Sequence, residues 1–396
     1  MAVDLLKEAE GFASDLSAWR EALHQTPELD LDLPQTSAFV QARLTEMGIP
    51  FKTLVNGSCV VATLGSGEPC IMLRADMDGL PVVEDSGVSF ASTNGRMHAC
   101  GHDTHATGLL GAARLLKAHE AELKGTVKLL FQPGEETFNG ARAAIKDGAL
   151  ESPKVDVAFG MHIATEYPVG TMVLPTTGKD HPSYAAVYGF QIDVTGKGGH
   201  GSTPDACVDP VNVGVQIYLA LQEIIARETS PLDQVSLTVG SFVSGSAANI
   251  IPGEARLTGT ARAIKPEVLA FVRKRVEELA PAVAAAYRAE ATVKTIMDVP
   301  VVVNDEELST EAESYIRAAL PASTTYVCPP PLTGSEDFTL YGEHVPSAYF
   351  RIGGHPEGYP VYPHHNAKIR FDNKELPLAA TAYAAVAMGW LEKHGK

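Results

Sequence analysis

Three histidines, one cysteine and one aspartate crowd into nine residues: Met97-His98-Ala99-Cys100-Gly101-His102-Asp103-Thr104-His105. Packing and solubility do not call for that density, whereas binding a metal does. Cys100 and His102 stand two apart, so in extended backbone their side chains share a side and can converge on one centre. A thiolate with imidazoles and carboxylates suits divalent zinc, manganese, cobalt or nickel. A second signal is the adjacent pair Glu135 and Glu136, just beyond an apolar run at 126–131. Successive side chains of an extended chain point to opposite sides, so one glutamate can ligate a metal while its neighbour faces a bound water. His162 follows another apolar run, and His364 and His365 lie near the C-terminus. Each alone would read as a core histidine or a surface turn; together they supply the imidazoles a metal centre needs. The rival chemistry, a Cys100 nucleophile paired with His102, leaves Glu135, Glu136 and His162 without a task.

Something must bring these scattered groups together. Short apolar runs at 58–64, 70–74, 126–131 and 155–161 read as strands, and a helical stretch at 104–123 lies between the middle pair. Helices are also expected at 12–24 and 34–48, the second opened by Pro34 and closed by Gly48. Apolar strands alternating with amphipathic helices predict an α/β domain with a mixed sheet. In such a sheet ligands bind beyond the carboxyl ends of the strands, where the polar clusters stand here. From about Ala186 the pattern becomes strand 189–195, helix 210–228, strands 234–243 and 255–263, helix 266–288 and strand 290–297. That β-α-β-β-α-β order predicts an inserted α+β domain of the split βαβ, ferredoxin-like kind. The expected division is 1–185 with 298–396 for the metal-binding domain and 186–297 for the insert.

Bulk properties narrow the field further. At 396 residues, with 45% apolar and 20% charged side chains, the chain is long enough for two cores. A formal net charge of −17 argues against nucleic acid or an anionic membrane as partner, since both would repel it. The five cysteines are an odd, scattered set, unlike a disulfide framework. No apolar run is long enough to span a bilayer, and the opening MAVDLLKEAEGF has no signal-peptide pattern, so a cytoplasmic location is expected.

In order, the motifs RADMDGLP (74–81), MHACGHDTH (97–105), QPGEE (132–136), GMH (160–162), GKGGHGSTP (196–204), ANIIPG (248–253), GSEDF (334–338) and a late His365-Asn366 resemble the aminoacylase, hippurate hydrolase and auxin-conjugate amidohydrolase branch of metallopeptidase family twenty. The likeness covers nearly the whole chain, and MHACGHD with QPGEE is its most specific part. It implies a catalytic domain with two divalent metal ions and an inserted lid or dimerisation domain. By this resemblance Cys100, His102, Glu136, His162 and His365 are metal ligands, Glu135 is the general base, and Asp78 lies close to the metals and orients their ligands. In the insert, His200 matches the histidine that polarises the substrate carbonyl, often across a dimer interface, Asn249 a substrate-contacting asparagine, and Arg262 a carboxylate-binding residue. Relatives often carry Leu-His-x-Pro where this chain reads His364-His365-Asn366-Ala367; aligning Asn366 and Ala367 with x-Pro favours His365. Where other branches use a His-x-Asp motif, this chain has Asp76-Met77-Asp78, which puts more weight on His102.

The function this implies is hydrolysis of the amide bond of small N-acyl amino acids by a homodimer or higher homo-oligomer, with Glu135 moving the proton and His200 stabilising the oxyanion. A dipeptidase or carboxypeptidase of the same family is the alternative, because it would share every ligand and differ only in the lid and pocket walls.

Overall fold

The computed structural model describes residues 4–396. The chain forms two compact units: one runs to His181 and takes in Val303–Pro330 and Asp337–Lys396, and the other comprises Pro182–Val302 with Pro331–Glu336.

The first unit is built on an eight-stranded mixed sheet. Its strands lie in the spatial order Phe51–Leu54, Cys59–Gly65, Thr126–Gln132, Cys70–Asp76, Val157–Pro168, Ser347–His355, Thr171–Val173 and Thr325–Val327. The middle four strands run parallel to one another. Cys70–Asp76 and Thr126–Gln132 are buried at every position, as expected of parallel strands covered on both faces. Helices Ala13–His24, His102–Ala118 and Leu376–His394 contribute to the same core. His102–Ala118 and Leu376–His394 pack closely because Gly111 has no side chain; a Cβ there would stand 2.7 Å from that of Ala380.

The helix expected at 104–123 begins instead at His102 and ends at Ala118. Gly101 makes the earlier start possible. Its φ is +86°, and a Cβ would lie 2.5 Å from Cγ2 of Ile163, so both conformation and space demand glycine. The hydroxyl of Thr104 donates to the Gly101 carbonyl at 2.7 Å and ties down the first turn. Three large elements after residue 300, Glu306–Ala319, Ser347–His355 and Leu376–His394, had no separate expectation, yet Ser347–His355 lies inside the sheet.

The second unit carries a four-stranded antiparallel sheet in the order Glu290–Val299, Ala186–Thr195, Glu254–Ala263, Val235–Ser244, with helices Pro210–Glu223 and Pro266–Ala286. This is the β-α-β-β-α-β succession expected of a split βαβ unit. The helix expected to reach 228 gives way at Ile224 to a π turn, Ile224–Glu228. A separate two-stranded ladder pairs Gly199–His200 with Ile250–Ile251. Among the described residues no helix is long and apolar enough to cross a membrane.

Candidate metal centre

The parallel strands and the loops after them deliver the polar groups of the first unit to one place. Cys70–Asp76 ends on Asp76 and leads into Asp78; Thr126–Gln132 leads into Glu135 and Glu136; Val157–Pro168 carries His162; and Gly101 turns the chain so that His102 opens its helix. From the far end of the sequence, the His365 N–H donates to the Ala99 carbonyl at 2.9 Å. His365 has a φ of +70°, a left-handed conformation costly for a side chain with a Cβ and found where function over-determines the backbone.

Ligand atoms of Cys100, His102 and His162 lie within 4.8 Å of one another; so do those of Cys100, Glu136 and His365, of His102, Glu135 and Glu136, and of Asp76, His102 and His105. Cys100, His102 and Glu136 each belong to more than one of these groups, as donors serving a pair of neighbouring ions would. Nε2 of His102 is buried and makes no hydrogen bond. It faces carboxylate oxygens of Asp76, Glu135 and Glu136, each at 3.8 Å. Cys100 Sγ stands 3.4 Å from His162 Nε2, and His365 Nε2 stands 3.4 Å from Glu136 Oε2. Both spacings also suit ligation, because donors about 2.0–2.3 Å from a shared ion lie about 3–4 Å from each other. The residues present therefore fit divalent metal.

Asp78 orders the cluster from behind. Its two oxygens accept the backbone N–H groups of Glu135 and Glu136, each at 3.0 Å, and Oδ1 stands 3.4 Å from His102 Nδ1. Burial pushes the Asp78 carboxyl up. For His102, burial opposes protonation, but the carboxylates of Asp76, Asp78 and Glu136 outweigh it and hold the metal-free imidazole up at about 10. His162 is the opposite: burial, with His105 and His364 beside it, pushes its pKa well down. Its Nδ1 lies 2.6 Å from the Ile163 carbonyl and must be the donor there, which leaves a lone pair on Nε2 facing Cys100.

Histidines look alike in sequence but differ sharply here. His105 Nε2 accepts the Ile163 N–H at 2.8 Å and its Nδ1 meets Asp76 at 2.6 Å, so both nitrogens are taken. Asp76 in turn accepts from Arg74 at 2.6 Å, and Arg74 also donates to Asp337 at 2.7 Å. His364 packs its ring 5.1 Å from that of His162, and burial holds its pKa down at about 4. Of the adjacent pair, His365 joins the donors and His364 packs behind them. Beneath His102, Asp103 accepts from Arg20 and His24, each at 2.9 Å, and the other nitrogen of His24 donates to Glu84 at 3.0 Å. Asp76 and His105 were not among the expected ligands. The signal was present, because His105 lies one turn after His102 and three-apart residues share a helix face.

His200, Asn249 and Arg262 belong to the second unit and do not join these groups. His200 and Asn249 are exposed and are held together by the short ladder, with the Gly201 N–H donating to the Asn249 carbonyl at 2.9 Å. Arg262 lies near the end of Glu254–Ala263 and donates to Ser335 at 3.0 Å.

Residues 72–389 match the model of Peptidase family M20/M25/M40. The chain is 35% identical over 379 residues to IAA-amino acid hydrolase ILR1-like 4 of Arabidopsis thaliana, covering 94% of this chain and 84% of that one. It is 39% identical over 338 residues to N-acetyl-L-cysteine deacetylase of Bacillus subtilis, covering 84% and 79%. It is 34% identical over 403 residues to thermostable carboxypeptidase 2 of Saccharolobus solfataricus, covering 99% and 100%. Among solved structures, a putative aminohydrolase from methicillin-resistant Staphylococcus aureus superposes with a TM-score of 0.88 at 30% identity over 99% of this chain and all of that one. The Bacillus subtilis YXEP protein, described as a dinuclear metal binding peptidase of the M20 family, gives 0.78 at 31% identity over 97% and 99%.

Proposed function

The chain belongs to peptidase family M20/M25/M40, and from that premise we propose that it hydrolyses the amide bond of small N-acyl amino acids in the cytoplasm, using two divalent metal ions. The observation that carries this reading is the buried, hydrogen-bond-free Nε2 of His102 among three carboxylates, with Cys100, His162 and His365 completing the donor set. Cys100, His102, Glu136, His162 and His365 would hold the ions, with zinc, manganese, cobalt and nickel as the candidates. When bound, such ions lower the pKa of a shared water and polarise the amide carbonyl.

The chain's own groups do the rest. Glu135 stands 3.8 Å from His102 Nε2, in position to take a proton from the attacking water and return it to the departing nitrogen. Glu136 reaches both His102 and His365 through different oxygens, which suits a ligand better than a base. Asp78 holds the two glutamates in place through their backbones. His200 donates a hydrogen bond to the carbonyl oxygen as its charge grows, Asn249 contacts the substrate and Arg262 binds the carboxylate of the amino acid.

We also infer a homodimer formed through the second unit, with His200 serving the partner's active site. Helix Pro210–Glu223 shows Val211, Val215, Tyr218 and Leu219 to solvent at helical spacing, and edge strand Val235–Ser244 adds Phe242 beside them. Exposed apolar side chains grouped in this way mark association surfaces.

A peptide-cleaving role is the second reading, favoured by the full-length match to a carboxypeptidase. A hydrolysis screen tests both. Acetyl-, benzoyl-, long-chain acyl- and indole-acyl amino acids are compared with dipeptides after chelation and after re-addition of each metal. Turnover of acyl amino acids that vanishes on chelation and returns with metal is the expected outcome; turnover in metal-free protein, or of dipeptides alone, would overturn the reading.

A further inference from the structure

The turn after His200 places both of its hydrogen bonds on one ring nitrogen. The Ser202 backbone N–H points at His200 Nδ1 at 3.1 Å, and the Ser202 hydroxyl lies 2.7 Å from the same atom. An amide N–H can only donate, so Nδ1 must offer its lone pair, and a neutral imidazole whose Nδ1 accepts carries its proton on Nε2. We propose that Ser202 is a positioning residue that fixes His200 in the Nε2–H tautomer, leaving that N–H as the outward donor. The inference rests on the oxyanion role proposed for His200 and adds what makes the role possible. A ring presenting a lone pair to a developing oxyanion would repel it, whereas a fixed N–H stabilises it without reorganising.

The surroundings keep this geometry from drifting. His200 pairs with Ile250 in the short ladder, and the Gly201 N–H is bonded to Asn249 on the same ladder. The Thr203 N–H closes the turn on the His200 carbonyl at 2.9 Å. Gly201 is a tight fit: a Cβ there would stand 3.1 Å from the Asn249 carbonyl oxygen. The ring and its two donors are thus carried on one turn, which the ladder ties to Asn249. Among the described residues no charged group bonds the ring, so the Ser202 amide and hydroxyl set the tautomer together.

The test uses full-length, metal-loaded protein labelled with [15N]histidine. The His200 signals are identified by their loss in His200→Asn, and the tautomer is read from the two ring-nitrogen shifts at a pH where the ring is neutral. The expected result is an Nε2–H tautomer in the unaltered protein. Ser202→Ala should lower kcat about 3- to 10-fold, the cost of one hydrogen bond, with KM unchanged. Ser202→Thr should restore kcat, and Ser202→Pro, which also removes the N–H, should give mixed tautomers and a larger loss. If the proline variant does not fold, the alanine and threonine pair decides. An Nδ1–H tautomer in the unaltered protein, a Ser202→Ala enzyme with normal kcat, or a defect confined to KM would overturn the proposal. Loss of the oxyanion role is a different result: His200→Ala would then turn over normally whatever tautomer the spectrum shows.

Discussion

His102 in the first unit and His200 in the second face opposite physical problems. His102 is fully buried, with Asp78 at one nitrogen and three carboxylates around the other. His200 is exposed, and its ring is hydrogen-bonded by its own turn. A group meant to hold an ion must be oriented in advance in a place where charges are not screened by water. A group meant to meet a substrate has to stay reachable. The first unit therefore spends buried charge on preorganisation, while the second uses a local turn and a backbone amide.

That contrast is broken most severely by changing the glutamate pair. Glu135→Gln keeps its volume and loses its charge, so it should stay metal-loaded yet lose turnover by at least about 10²–10⁴-fold. Glu136→Gln should instead lose metal first and be partly rescued by excess metal, with His365→Ala behaving likewise and His364→Ala milder. Metal content and turnover measured on the same samples decide the matter; a metal-poor Glu135→Gln beside a loaded but inactive Glu136→Gln would swap the roles.

A smaller effect separates the units by complementation. Glu135→Gln and His200→Ala proteins, each inactive alone, should regain up to about a quarter of normal activity when their subunits exchange at equal amounts, as expected if each site draws on two subunits. No recovery despite exchange shown by mass spectrometry would put His200 in its own subunit's site or outside catalysis.

The smallest effect probes the support under His102. Burial opposes the His24 charge, but Asp103 and Glu84 outweigh it and raise its pKa from 6.5 to about 9. A raised pKa stabilises the folded state fully below the unfolded value, and that stabilisation fades as pH rises through the folded one. The contribution, at most about 3 kcal/mol, should thus be present at pH 6 and gone by about pH 10. Melting temperature should fall over that range more in the parent protein than in His24→Gln; parallel curves would remove His24 from the account.

Much of the site was legible because ligation restricts residue type. Few side chains bind divalent metal, so MHACGHD and QPGEE stood out in sequence, whereas His365 was preferred to His364 only through the family resemblance; the β-α-β-β-α-β order of the second unit followed from hydrophobic period alone. The last hundred residues were harder. Ser347–His355 lies inside the sheet but is buried on both sides, so it has no alternation to display. The helix His102–Ala118 was expected to start two residues late because a left-handed glycine, set by contact with Ile163, ends the loop before it.

By itself, then, the sequence determined which chemistry was available: the donors, the paired carboxylates and the order in which strands and helices would carry them. Only the tertiary structure decided how equivalent residues divide the work. His105 gives both nitrogens to Asp76 and Ile163 while His102 keeps one uncommitted, and His365 turns to Glu136 while His364 packs against His162. The physical reason is that a histidine's role depends on what its two nitrogens meet. Those partners lie 29 and 58 residues away for His105, a distance that only the folded sheet closes.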